Sequence, residues 1–158
     1  MTREKIKYYL YIHNKTKQLI EESNKKIIEY KSQIKIINET YCNIGACVND
    51  GMPHNPSPFT DKILLQIEKK DREIENIKKL IYKESKRINE FLEMYGIISK
   101  ILQDSEERTK AIVKKYYFEG CTAIETCYLL GCSLSTFKRE NNSLIDRIEK
   151  EVKEKNGN

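Results

Sequence analysis

A seven-residue repeat of apolar side chains runs through two long stretches of this chain and limits its fold more than any other feature. In residues 3 to 41 the repeat comprises Ile6, His13, Ile20, Ile27, Ile34 and Tyr41, with a second row of Tyr9, Thr16, Ser23, Tyr30 and Ile37. In residues 61 to 103 it comprises Ile67, Ile74, Ile81, Ile88, Tyr95 and Leu102, with a second row of Ile63, Lys70, Ile77, Glu84, Phe91 and Ile98. Rows at this spacing lie along one face of an α-helix and pack as a coiled-coil seam. The pattern therefore predicts two long helices.

The segment between these helices, residues 42 to 60, interrupts the pattern with three Pro and two Gly and is predicted to be a loop. Two helices joined by one loop either fold back as a hairpin or pair with a second chain to form an oligomer, and the seam is the same in both cases. Cys42, Cys47 and His54 lie in this segment without the paired spacing and four donors typical of zinc sites. Small packed thiols are the favoured interpretation, and both the role of the loop and metal binding stay open.

Composition agrees with long solvated helices rather than a thick core, since 39% of the 158 residues are hydrophobic and 34% are charged. The expected fold class is all-α, with a helical hairpin or coiled coil in residues 1 to 104 and a small domain in residues 105 to 158. No apolar run reaches the length of a membrane span and the N-terminus is charged, so we expect a cytoplasmic protein with no membrane partner.

The stretch from Glu119 to Ile148 has the spacing of a helix-turn-helix. A helix from Thr122 to Leu130, with small residues on one face, runs into Gly131, which suits a left-handed position after a helix end. Ser133 is a good N-cap for a second helix. A further helix from Asp104 to Phe118, with Asp104 as its N-cap, is predicted to brace the pair.

Two motifs in this region resemble known families. The sequence Gly131-Cys132-Ser133-Leu134-Ser135-Thr136-Phe137-Lys138-Arg139 is similar to the core of region 4 in sigma factors, and Tyr117-Phe118-Glu119-Gly120 to the residues preceding it. The order of a helix, Asp50-Gly51-Met52-Pro53, a long charged helix and a helix-turn-helix resembles phage-encoded transcriptional regulators of the ArpU/RinA type. The resemblance implies a sequence-specific DNA-binding regulator of phage or prophage origin that acts on late phage genes. Thr126 and Glu140 depart from the family pattern, which usually has aliphatic residues there.

The second motif helix provides the candidate DNA-binding residues. Phe137, Leu144 and Ile148 are expected to face inward at helical spacing. The side chains expected to contact DNA are those of Ser133, Leu134, Ser135, Thr136, Lys138, Arg139 and Asn142. Without the surrounding motif, Lys138 and Arg139 would be taken as ordinary solvated charges. With it, Arg139 and Asn142 are expected to read base edges, and Ser133, Thr136 and Lys138 to hold phosphates.

The net charge of the chain bears on how strongly residues 105 to 158 can bind DNA. The chain carries a formal +5, but residues 105 to 158 carry 10 Lys and Arg against 9 Asp and Glu. Affinity for phosphates depends on cations near the backbone. Either cations cluster on one face, or a second copy or another protein adds affinity. An alternative function is therefore a protein-interaction module that docks on RNA polymerase or another partner through the coiled coil, and a third is a purely structural coiled coil.

Sequence motifs for catalysis are missing. The chain has only two His, at positions 13 and 54, and no Gly-rich phosphate loop or zinc-protease motif. His13 lies on the apolar seam, where a packed histidine is the favoured interpretation. We therefore expect no enzyme activity, no cofactor and no metal.

Overall fold

The fold is known from a computed structural model that describes residues 1–42 and 58–156. In chain order the elements are α1 (Arg3–Ile12), a 3-10 turn (His13–Lys15), α2 (Thr16–Cys42), α3 (Pro58–Gln103), α4 (Glu107–Ile112), a π-helical segment (Val113–Phe118), α5 (Ala123–Leu130) and α6 (Leu134–Asn156). Every element in these ranges is helical, so the predicted all-α class is confirmed. Within the same ranges, no helix has a stretch long and apolar enough to cross a membrane.

The chain divides into two compact units. Unit 1 contains Met1–Ile20 and Asn89–Asn158, and unit 2 contains Glu21–Ile88. This division differs from the predicted boundary at residue 104, because α1 and the end of α3 complete the core around α6. Examples from the three helices are Leu10 at 0%, Ile97 at 1% and Ile145 at 0% exposure. Residues 105 to 158 therefore bury their apolar side chains on the start and the middle of the chain.

The predicted seam faces of α2 and α3 are partly covered in unit 2. The predicted seam positions of α2 are all buried or half-buried, and Ser23 is 2% exposed. On α3 the seam is covered from Lys70 onward, whereas Ile67 is 47% exposed. The Lys70 ammonium lies 5.6 Å from the centroid of the Tyr41 ring, so the two seams meet. Cys47 and His54 of the predicted loop lie outside the described residues, as does the side chain of Cys42.

Two predicted helices are interrupted. The predicted helix 3–41 contains the 3-10 turn at His13–Lys15, where the His13 ring packs 4.6 Å from Tyr95 and 5.7 Å from Phe118. Asp104 does not cap α4, because its amide still donates to the Lys100 carbonyl at the end of α3. The helix begins at Glu107 instead, and its last residues widen into the π-helical segment.

Candidate nucleic-acid interface

The turn between α5 and α6 has the tight geometry of a helix-turn-helix. Gly131 follows α5 in the left-handed conformation, with φ of 59°. The Cys132 amide then donates to the Cys127 carbonyl at 3.0 Å, which satisfies a carbonyl that the helix end leaves free. At the other end of α5, the Thr122 hydroxyl accepts from the Glu125 amide, and the Glu125 carboxylate accepts from the Thr122 amide. This capping box fixes the start of α5 one residue later than predicted.

Helix α6 begins as the sequence predicts. The Ser133 hydroxyl accepts a hydrogen bond from the Thr136 amide at 3.1 Å, so Ser133 is the N-cap. The same hydroxyl lies 2.8 Å from the Ser135 hydroxyl and 2.9 Å from the Thr136 hydroxyl. Three hydroxyls therefore gather at the positive end of the α6 dipole, where an anion is favoured.

The two faces of α6 separate cleanly by polarity. Phe137 is 4% exposed, Leu144 is 1% exposed and Ile148 is fully buried. The predicted DNA-binding side chains on the opposite side are exposed, with Thr136 half-buried: Ser133, Leu134, Ser135, Thr136, Lys138, Arg139 and Asn142. The structure thus brings the whole predicted set together at the first half of one helix.

Ion pairs leave part of this surface positively charged. Lys138 is exposed and has no ion pair with any residue in 1–42 or 58–156. Arg139 Nη2 lies 3.3 Å from Glu140 Oε1, and the other oxygen of Glu140 accepts from the Thr109 hydroxyl of α4. Glu140 therefore forms a polar link between α6 and α4.

A shallow depression continues the surface along α6. It is lined by Arg139, Asn142, Ser143, Asp146, Arg147 and Lys150. The Arg147 guanidinium also donates to the Ser105 hydroxyl at 3.0 Å. Cations thus continue along the exposed face beyond the predicted contact residues.

Aromatic contacts and one hydrogen bond brace α6 from behind. The Tyr116 ring lies 5.1 Å from the Phe137 ring. The Tyr117 hydroxyl donates to Asn141 Oδ1 at 2.8 Å, and burial raises the pKa of this phenol far above its ordinary value. The hydroxyl therefore stays protonated at neutral pH and holds Asn141 of α6 by a donated hydrogen bond.

Thr126 is the fully buried side chain of α5. Ala123 and Cys127, the small residues on one face of the predicted helix, are only half-buried. The Thr126 hydroxyl has no hydrogen-bond partner in the described part of the chain. Burial raises the pKa of the Cys127 thiol, and the neighbouring Cys132 thiol raises it further, so both chemistry and position suit a packed, protonated thiol.

Comparison with known proteins adds no relative. No protein-family model matches the chain, and no curated protein or solved structure matches it either. The likeness to sigma region 4 and to ArpU/RinA regulators therefore rests on the motif residues alone. In the described ranges, no three His, Cys, Asp or Glu side chains gather where they would hold a metal ion.

Proposed function

We propose that this chain is a sequence-specific DNA-binding transcription regulator that reads duplex DNA through the first half of α6. The observation that carries the proposal is the exposed row of Ser135, Lys138, Arg139 and Asn142 directly after the tight turn at Gly131. In a helix-turn-helix this half of the second helix enters the major groove. Arg and Asn side chains match guanine and adenine edges there with paired hydrogen bonds.

The origin and role follow from the family resemblance. Similarity to ArpU/RinA regulators suggests a phage or prophage protein that acts on late phage genes in the cytoplasm. The proposed partner is double-stranded DNA, and the protein needs neither catalysis nor a cofactor for this role.

A binding experiment with three variants tests the proposal. Duplexes are first selected from a random library with the full chain, and their affinity is then measured by gel shift and footprinting. Arg139→Ala should weaken binding by about tenfold or more, because a paired contact to a base contributes about 1–3 kcal/mol. Lys138→Ala should weaken binding to every duplex alike. Unchanged affinity in both variants would remove α6 as the reading element.

Lys155→Ala is the matched control. Lys155 is exposed on the same helix, 16 residues beyond Arg139, which corresponds to about 24 Å along the axis. Its removal changes the net charge by the same amount as Lys138→Ala does. Lys155 itself lies beyond the part of α6 that is proposed to enter the groove. Affinity of this variant should stay near that of the original chain.

A second candidate function is supported by the outer face of α5. Ile124 is 75% exposed, Tyr128 is 87% exposed and Leu129 is 54% exposed, and they line one depression with Glu119 and Glu125 at its rim. Contiguous exposed apolar side chains with a polar rim are typical of protein-binding surfaces. Docking on a protein partner with apolar and basic side chains, such as RNA polymerase, would use this face.

The negative charges at the rim of this depression favour a partner with basic side chains. The hydrogen bond from the Thr122 amide lowers the pKa of Glu125, so this carboxylate is ionised at neutral pH.

Tyr128→Ser should release a docked partner without changing DNA affinity, which a co-purification with RNA polymerase would measure. DNA binding should also weaken steeply as salt rises, whereas apolar docking should not. Retention of polymerase by the variant would contradict the docking role of α5.

A further inference from the structure

The start of α1 lies against the second half of α6. Arg3 Nη2 is 2.6 Å from Asp146 Oδ1. Glu149 lies about one turn after Asp146 on α6. A hydrogen bond from Lys153 is the main cause of its lowered pKa, and the positive charges of Arg3 and the N-terminal amine lower this pKa further. The first residues of α1 therefore lie beside residues 146 to 149.

The end of α1 lies against the π-helical segment, which in turn contacts the middle of α6. The Tyr11 ring is 4.8 Å from the Tyr117 ring, whose hydroxyl donates to Asn141. Residue 3 thus lies beside residue 146, and residue 11 lies near residue 141. The two helices run side by side in opposite directions, and one side of α1 follows the edge of the proposed reading surface.

Lys7 comes one helical turn after Arg3, as Asn142 comes one turn before Asp146. With the two helices running in opposite directions, this spacing puts positions 7 and 142 at about the same level. Lys7 is exposed and forms no ion pair with the described residues of the chain. The other flank of α1 faces α3, where Lys5 Nζ lies 3.2 Å from Glu90 Oε2.

The spacing of packed helices places α1 over the DNA backbone. Neighbouring helix axes are about 8–10 Å apart, and the major groove is about 12 Å wide and admits one helix. When α6 occupies the groove, a helix beside it lies over the phosphates of the groove wall. Residues 1 to 20 carry five Lys and Arg against one Glu, so this helix adds the charge that residues 105 to 158 lack.

We propose that α1 is a second DNA-contacting element, in which Lys7 binds a backbone phosphate beside the groove and Arg3 neutralises Asp146 at the same edge. This inference rests on the proposed function of α6 and extends its site to the first turns of the chain. Asp146 is exposed and faces the same side as Asn142. Without Arg3 its carboxylate would repel the phosphates.

The salt dependence of binding tests the role of Lys7. The 158-residue chain is titrated onto a labelled mixed-sequence duplex between about 50 and 200 mM salt, and the slope of log affinity against log salt is measured. Lys7→Ala and Lys7→Gln should each reduce the steepness of this slope by about one, because one phosphate contact is lost. Circular dichroism checks that both variants remain folded.

Lys5→Ala is the matched control, since it removes the same charge two residues away on the opposite flank. Its slope should equal that of the original chain. Equal reductions for Lys5→Ala and Lys7→Ala would overturn the inference, because only net charge would then matter. An unchanged slope for Lys7→Ala together with weaker binding by Arg139→Ala would also overturn it, and would leave the function of α6 standing.

Two further results complete the test. Arg3→Ala should weaken binding more than Lys7→Ala, and Arg3→Ala combined with Asp146→Ala should recover most of that loss. Failure of the double variant to recover would overturn the role given to Arg3. Failure of the unmodified chain to bind any duplex even at low salt would contradict the proposed function itself, and the inference with it.

Discussion

Single residues in the interior of unit 1 show how burial sets chemical behaviour. His13 is 8% exposed, and its Nδ1 has no hydrogen-bond partner among the described residues. The groups facing it are the rings of Tyr95 and Phe118 and the Ser99 hydroxyl, which lies 3.4 Å from Nε2. No carboxylate is among these groups, so no negative charge there offsets the cost of burying a protonated imidazole.

This histidine predicts a loss of stability in mild acid. Burial lowers the pKa of His13 from its ordinary value of 6.5, so the unfolded chain takes up the proton at a higher pH than the folded chain. The neutral ring therefore contributes its full stabilisation of the folded chain above the ordinary pKa of 6.5. This stabilisation is lost as the pH falls below 6.5 toward the pKa of His13 in the folded chain. Urea unfolding midpoints should therefore decline between about pH 7.5 and 5.5.

His13→Gln supplies the comparison for this pH dependence. The variant lacks the titrating ring, so its unfolding midpoint should change less over the same range. Parallel pH profiles for the variant and the original chain would show that other groups cause the decline.

At the scale of elements, two glycines occupy opposite conformations. Gly131 has a φ of 59° at the end of α5, whereas Gly96 lies inside α3, and an added Cβ would meet nothing within 4 Å at either position. Steric room is therefore equal, and only backbone conformation distinguishes the two sites.

The same substitution should consequently have opposite effects at these glycines. Gly131→Ala should lower the free energy of unfolding by about 1 kcal/mol, because a side chain is strained in the left-handed region. Gly96→Ala should raise it by about 1 kcal/mol, because alanine favours a helix interior. Thermal unfolding of both variants checks this, and a stabilising Gly131→Ala would contradict the turn geometry.

The elements that sequence predicts well are those set by local chemistry. Gly131 and Ser133 define the turn through backbone conformation and capping, and both are found in their predicted roles. The inward and outward faces of α6 follow from helical periodicity alone. The 3-10 turn at His13 and the end of α3 at Asp104 were missed, because packing against distant residues decides them.

At the scale of the whole molecule, the largest difference from expectation is the composition of the core. Helix α1 reads as the first part of a coiled coil, yet Ile6 and Leu10 are fully buried in the unit that contains α6. A heptad repeat states which face of a helix is apolar but not which partner covers it. The contact of Arg3 with Asp146 of α6 was missed for the same reason, since it depends on where α1 packs.

Leu10 allows this shared core to be tested. Leu10→Ala should destabilise unit 1 by about 3 kcal/mol, as expected for a fully buried leucine, and speed hydrogen exchange of α6 amides. Ile28→Ala, at a position that is 67% exposed on α2, should change neither quantity. Undisturbed exchange in α6 of Leu10→Ala would mean that residues 105 to 158 fold without α1.

The reading of DNA by α6 is tested most directly by selecting duplexes from a random-sequence library with the original chain and with Arg139→Ala combined with Asn142→Ala. We predict that the original chain enriches one defined sequence, and that the double variant retains weak binding to phosphates while losing preference at the positions these side chains read. Enrichment of the same sequence by both proteins, or of no sequence by the original chain, would contradict the claim that α6 reads DNA.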